Sequence, residues 1–280
     1  MYLNCGKFQL DLSRPLVMGI VNITPDSFSD GGSYFGCDVA LAHARKLIED
    51  GADILDIGGE STRPGALPVS VDEELDRVIP VIEGLSGMHI PISLDSFKPE
   101  VIRKGLAAGA SMINDINALQ HPEALDAVAK SNAAVCLMHK QGNPQTMQDQ
   151  PTYQDVVAEV QYFLCSRIEA VENAGIARSR IVVDPGFGFG KMLDHNLALL
   201  RDLTCFNKLG VPLLAGISRK SMLGAITGRD VEQRDYASVA AALLAVQRGA
   251  KIMRVHNVSA TVDALKVWQA VSGVNTICHG

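Results

Sequence analysis

Short apolar runs, many of them β-branched, alternate along the chain with longer stretches whose apolar positions recur every three or four residues. The first run, 17–22, ends on Asn22. Residues 37–50 then place Val39, Ala42, Leu47 and Ile48 at helical spacing, with Gly51 as the stop. The rhythm repeats: strands are predicted at 54–58, 91–95, 112–116, 133–139, 181–184, 212–218 and 252–256. Helices are predicted at 71–85, 99–108, 122–130, 153–174, 195–206, 235–248 and 260–271. Ser70 followed by Glu73 fits a capping box at the head of 71–85, and Pro99 and Pro122 stand where a helix tolerates proline. Strand–helix units in unbroken succession predict a single (β/α)8 TIM barrel. The alternative is a doubly wound open sheet, which usually carries a glycine fingerprint after its first strand. This chain instead reads Thr24-Pro25-Asp26-Ser27-Phe28 there. No Pro-, Ser- or Gly-rich linker divides it, and residues 1–16 are read as a hairpin over the bottom of the barrel.

Composition narrows the classes. With 47% hydrophobic and 20% charged residues the chain is neither disordered nor fibrous. A formal charge of -6 argues against nonspecific nucleic-acid binding, though not against a local anion site. The six cysteines form no CxxC pair and several sit in apolar runs, as buried or free thiols of a reducing compartment do. No signal-peptide pattern opens the chain and no apolar run is long enough for a bilayer, so a soluble cytoplasmic protein is expected.

In a barrel of this kind the chemistry sits where the strands end. Those positions carry Asn22; Glu60, Thr62 and Arg63; Asp95; Asn114 and Asp115; His139; Asp184; Ser218, Arg219 and Lys220; and Arg254 with His256. Loops are polar in any protein, and a structural ring of ion pairs is the bland explanation. Yet Asp95, Asp184 and Arg254 lie within or against apolar runs, and a buried charge needs a partner. Asp95, Asp115 and Asp184 are expected to face Arg63, Arg219, Lys220 and Arg254. One side of the mouth would then be anionic and the other cationic, a split that suits a heteroaromatic ring bearing a phosphate.

The loop Asp184-Pro185-Gly186-Phe187-Gly188-Phe189-Gly190-Lys191 misses the phosphate-loop pattern, since Met192 stands where Ser or Thr is needed. Its alternating Gly and Phe suggest a tight backbone aiming aromatic faces, or simply rings packed on the rim. The seven histidines show no zinc spacing, and Gly216-Ile217-Ser218-Arg219-Lys220 is no nucleophile elbow. The small-residue stretch 237–245 reads as a helix packed close to its neighbour, at a subunit contact. Loops 24–32 and 61–70 could close over a ligand.

Four longer motifs sharpen the reading: Asn22 through Gly32, Gly58-Gly59-Glu60-Ser61-Thr62-Arg63-Pro64-Gly65, Asp184 through Lys191, and Ser218-Arg219-Lys220-Ser221. With Leu137-Met138-His139 and Arg254-Val255-His256, they closely resemble the dihydropteroate synthase family from about residue 14 to 271. Lys140 departs from the family pattern, where a neutral residue is expected. The resemblance implies condensation of 6-hydroxymethyl-7,8-dihydropterin diphosphate with 4-aminobenzoate, Mg2+ as the metal, a homodimer and inhibition by sulfonamides. Carried over position by position, Asp95, Asn114, Asp184 and Lys220 would hold the pterin, with Met138 lining the slot and Arg254 against the ring. Asn22, Arg63 and His256 would hold diphosphate and Mg2+, Asn22 as the metal ligand. Phe28, Thr62, Pro64, Phe189 and Ser218 would contour the aminobenzoate pocket. Asp95, Lys220, Arg254 and His256 are the expected catalytic set. Two other readings stay open: a pterin barrel with methyl-transfer chemistry, and a non-catalytic pterin sensor.

Overall fold

The structure is a computed structural model that describes residues 1–23, 32–61, 66–142, 147 and 151–273, with backbone alone for 32–35. The strands of the barrel are β3 (Leu16–Asn22), β4 (Ile54–Gly58), β5 (Ile92–Asp95), β6 (Met112–Asp115), β7 (Ala134–Met138), β8 (Ile181–Asp184), β9 (Leu214–Ala215) and β10 (Ile252–Val255). From β3 to β8 each pairs in parallel with the next, while β10 pairs with the free edge of β3 and β9 with β10. A parallel bridge between Val183 and Leu213, with the Val183 N–H donating to Pro212 O at 3.0 Å, joins the two ends. That closure makes the sheet a (β/α)8 barrel and leaves no edge for an open-sheet topology.

The outer helices are α1 (Gly32–Glu49), α2 (Val71–Leu85), α3 (Pro99–Ala108), α4 (Pro122–Ala129), α5 (Val156–Asn173), α6 (Leu193–Arg201), α8 (Asp235–Gln247) and α9 (Val258–Ser272). A further short helix, α7 (Ser221–Thr227), stands between β9 and α8, where the sequence pattern predicted loop. Seven residues containing Gly224 are too few to show a helical period. The predicted helix 195–206 also ends early, at Arg201, and continues as 3-10 turns over Leu203–Leu209. Of the predicted capping box, Ser70 accepts the Glu73 N–H at 3.2 Å, but the Glu73 carboxylate pairs with Arg77 a turn further on.

Strand alternation sorts side chains into two apolar layers. Outward residues such as Val17, Leu55, Leu94, Val135 and Val183 pack under the helices. Inward residues Leu16, Met18, Ile54, Met112, Ala134, Cys136, Val182, Leu214 and Ile252 fill the lower lumen. Below them β1 (Tyr2–Cys5) and β2 (Phe8–Asp11) pair antiparallel as a hairpin. Its Leu3 and Cys5, with Leu12 beyond, join the same cluster and seal the floor. Cys5 Sγ donates to Ser111 O at 3.2 Å and Gly6 N–H to Asn132 O at 3.0 Å, tying the hairpin to the lower ends of β6 and β7.

Candidate active site

Two residues above the apolar floor the inward positions change character. Asp56, Asp95, Asn114, Asp184 and Arg254 all point into the upper lumen. Arg254 reaches across it, its Nε donating to Asp56 Oδ2 and its Nη2 to Asp95 Oδ2, each at 2.6 Å. Asn114 Nδ2 donates to the same Asp56 oxygen at 3.2 Å. Asp56 is fully buried. It stands inside β4 rather than after it, so a search of strand ends passes over it. A charge in the middle of Ile54-Leu55-Asp56-Ile57-Gly58 is the signal that finds it.

The mouth is therefore not divided into an anionic and a cationic half. Barrel closure sets β10 beside β3, and Arg254 lands among the acids of β4 and β5. Buried carboxylates this close together stay ionised only when a cation is interleaved between them, and otherwise hold a proton. Burial outweighs the pull of Arg254 and, helped by Asp56, pushes the Asp95 carboxyl up to about 7. Arg254 itself is held more firmly protonated than an ordinary guanidinium, because Asp56 and Asp95 outweigh its burial.

On the opposite wall Asp184 Oδ1 accepts the Gly186 N–H at 2.7 Å. Burial raises its carboxyl and Lys220 pulls it back. A Cβ built on Gly216 would lie 3.8 Å from both Asp184 Oδ2 and the Arg254 side chain, so the two charges share one cup. Lys220 Nζ donates to Phe187 O and lies 4.5 Å from the centre of the Phe189 ring. Burial draws the Lys220 ammonium down to about 8 despite Asp184. Of the two phenylalanines in the glycine-rich loop, Phe187 is core and only Phe189 faces the site. Met138 is level with Asp184 in the β7–β8 register and lies beneath Gly186. Ser218 Oγ sits 2.9 Å from His256 Nδ1 and accepts the His256 backbone N–H at 3.2 Å. At the rim, a Cβ on Gly58 would meet Asp95 Cβ at 3.5 Å and Asn22 Oδ1 at 3.8 Å, which leaves a cleft between Asn22 and Asp95.

Asp95, Asn114, Met138, Asp184, Phe189, Ser218, Lys220, Arg254 and His256 thus gather around one mouth, with Asn22 on its rim. Phe28, Thr62, Arg63 and Pro64 lie outside the described residues. Two expected charges belong elsewhere. Asp115 turns outward and caps its own loop, accepting Asn117 N–H at 2.6 Å and Leu119 N–H at 2.9 Å. Arg219 is spent on a two-pronged pair with Asp235, at 2.8 and 3.2 Å. Its backbone is left-handed, φ 58°, and pinned: its N–H donates to Ser238 Oγ at 2.9 Å and its carbonyl accepts from Arg234 at 3.1 Å. That strained, over-determined turn delivers Lys220 to the site.

The root of the loop after β4 is held by Lys98, paired with Glu60 at 2.8 Å and Glu74 at 2.7 Å, and by Arg77, which donates to Gly59 O at 2.6 Å.

A closed barrel whose upper lumen interleaves acids with Arg254 and Lys220 has counterparts among known proteins. The sequence model for the family described as "Pterin binding enzyme" matches residues 18–256. A dihydropteroate synthase of Haemophilus influenzae is 52% identical over 264 residues, covering 94% of this chain and 96% of its own. A Xanthomonas albilineans dihydropteroate synthase solved with 4-aminobenzoic acid superposes with a TM-score of 0.92 at 58% identity, covering 98% of this chain and 99% of its own. The Xanthomonas albilineans structure in complex with 7,8-dihydropteroate gives 0.89 at 55% identity, covering 98% and 100%. This chain belongs to the dihydropteroate synthase family of pterin-binding enzymes.

Proposed function

We propose that this protein is a transferase that joins 6-hydroxymethyl-7,8-dihydropterin diphosphate to 4-aminobenzoate, releasing diphosphate and forming 7,8-dihydropteroate. The observation that carries the reading is the single buried cup in which Asp95, Asn114 and Asp184 converge with Lys220 and Arg254. The acids and Asn114 accept and donate along the edge of a pterin, while Lys220 donates to its ring carbonyl.

The bond that breaks joins the pterin methylene to the diphosphate oxygen, whose electrons leave with the diphosphate. The bond that forms joins the methylene to the aminobenzoate nitrogen, which releases a proton to solvent. Positive charge gathering on the pterin during departure is stabilised by the carboxylate of Asp95, and negative charge on the leaving group by Arg254 and His256. Ser218, held by His256, is placed to meet the aminobenzoate carboxylate. Phe189 shares that task, and the family resemblance assigns Phe28, Thr62 and Pro64 to the same pocket and Arg63 to the diphosphate.

Asn22 fits Mg2+: one hard amide oxygen at the rim, beside the place the diphosphate would take, suits an ion that keeps most of its waters and shares phosphate oxygens. Held there by Asn22, Mg2+ would supply charge to offset that of the leaving group. Sulfonamides, which mimic 4-aminobenzoate, would compete for the same pocket. No helix among the described residues is long and apolar enough to cross a membrane. Unpaired Cys5, Cys37, Cys136, Cys165 and Cys205 support a cytoplasmic setting. Exposed Ile226, Tyr236, Leu244, Val267 and Val271 on α7 to α9 support a homodimer contact, to be checked by sedimentation.

The test is turnover with both substrates and Mg2+, followed by crystals soaked with a pterin. Product formation, and a ring seated between Asp184 and Arg254, are expected. Absence of product, or a ring bound away from this cup, overturns the reading.

A further inference from the structure

Lys191 takes no part in the chemistry above, yet it is 3% exposed and its ammonium is surrounded. Nζ lies 3.0 Å from His139 Nδ1, 3.3 Å from His139 O, 2.9 Å from Gly186 O and 3.0 Å from Phe189 O. None of these partners is a carboxylate. A lysine buried this deeply costs more than an apolar residue of its size, unless its donors organise something an apolar residue could not. What they organise is the loop after β8, fastened to the end of β7.

That loop needs fastening. Gly186, Gly188 and Gly190 all have left-handed backbones, φ 71°, 77° and 62°, and glycines lose more freedom on ordering than any other residue. Side chains at Gly186 or Gly190 would collide with the carbonyls of His139 or Gln141, so the loop lies flush on the segment after β7. Secondary ties exist: Asn196 Oδ1 accepts the Gly188 N–H at 2.7 Å and the Tyr153 hydroxyl donates to Gly190 O at 2.8 Å. Lys191 grips both sides of the span that cradles Lys220. Gly186 O directly precedes Phe187, whose carbonyl takes the Lys220 ammonium, and Phe189 O belongs to the residue whose ring lies beside it.

We propose that Lys191 is a positioning residue for pterin binding, clasping the loop after β8 onto the end of β7 and so setting the cradle in which Lys220 faces Asp184. It rests on the reading of this mouth as the pterin site. Burial and the neighbouring Lys191 keep the His139 imidazole neutral, lowered to about 3, so its Nδ1 is free to accept from the clasp. Loosening the cradle hydrates Lys220, which faces Asp184 of β8, Asp95 of β5, Arg254 of β10 and Lys191 of the loop itself, and its ammonium then returns upward from about 8.

The experiment is Lys191→Met beside wild type, read by steady-state kinetics from pH 6 to 10 and by amide hydrogen exchange over residues 185–190. Expected are a rise in KM for the pterin diphosphate of roughly tenfold or more, a much smaller change in kcat, and an alkaline limb of kcat/KM displaced upward. Exchange over 185–190 should quicken. Lys191→Gln, whose donor is one atom shorter, should recover part of the KM loss, and is the variant read if Lys191→Met does not fold. A lowered melting temperature with KM, alkaline limb and loop exchange at wild-type values overturns the clasp. A wild type without turnover strikes the functional reading instead; loop exchange then decides on the clasp alone, and equal exchange in wild type and variant rejects it.

Discussion

The two ends of the barrel lumen are built from the same strands and differ by a single step of the β-repeat. Ile54 gives way to Asp56, Met112 to Asn114, Val182 to Asp184 and Ile252 to Arg254. Below the step, apolar side chains and the hairpin form a dry plug that contributes roughly 1.5–3 kcal/mol per large side chain buried. Above it, charges that would each be costly alone are buried together. The floor tolerates any good packing. The mouth needs its charges partnered, which makes it a poor source of stability and a strong specifier of what can bind.

The sharpest way to break this contrast is Arg254→Met. It leaves fully buried Asp56 and its neighbour Asp95 without their cation. A loss of about 3–5 kcal/mol in denaturant-monitored stability is expected, together with a fall in kcat/KM of about a thousandfold. Lys220→Ala should separate the two properties. Its ammonium meets a carbonyl and a ring face, and Asp184, which it faces, keeps the Gly186 N–H, so activity should drop about a hundredfold while the unfolding midpoint moves less than in Arg254→Met.

The pH profile probes the mouth without mutation. Asp95 must be ionised to stabilise a cation and is raised to about 7, whereas Lys220 must be protonated to donate and is lowered to about 8. Initial rates should give a bell in kcat/KM confined between those values. Stability should run the other way on the acid side. A carboxyl raised above its ordinary 3.8 binds its proton more tightly in the folded chain, so Asp95's contribution is present at low pH and is lost as pH rises toward about 7. Denaturant midpoints at pH 5 and 7.5 in wild type and Asp95→Asn would show whether that slope belongs to this residue. The smallest effect on activity should come from the floor: Leu3→Ala should cost about 2–5 kcal/mol of stability yet leave kcat/KM within about twofold of wild type. A large kinetic change there would mean that the plug and the mouth are coupled.

Much of this molecule was legible in advance. The order of the barrel strands and their helices, the exact bounds of four elements (Ile54–Gly58, Val71–Leu85, Pro99–Ala108 and Ile181–Asp184) and the convergence of Asp95, Asn114, Asp184, Lys220 and Arg254 all follow from local periodicity and motif. The errors share a cause. Asp56 lies inside β4, where a search of strand ends does not look, and its partner Arg254 is 198 residues away. Nothing local links Arg219 to Asp235, so the sequence groups it with the cations of the mouth, and Asp115 falls among the facing acids because its loop's need for a cap is invisible in sequence. Lys191 read only as the end of a failed phosphate loop.

The sequence by itself determined where strands and helices lie and which face of each strand is apolar, because hydrophobic alternation and turn residues act within a few positions. Only the closed barrel decided which charge neutralises which. That choice depends on β8 meeting β9 and on β10 lying beside β3, and a buried charge is settled by whatever stands within a few ångströms, however distant along the chain.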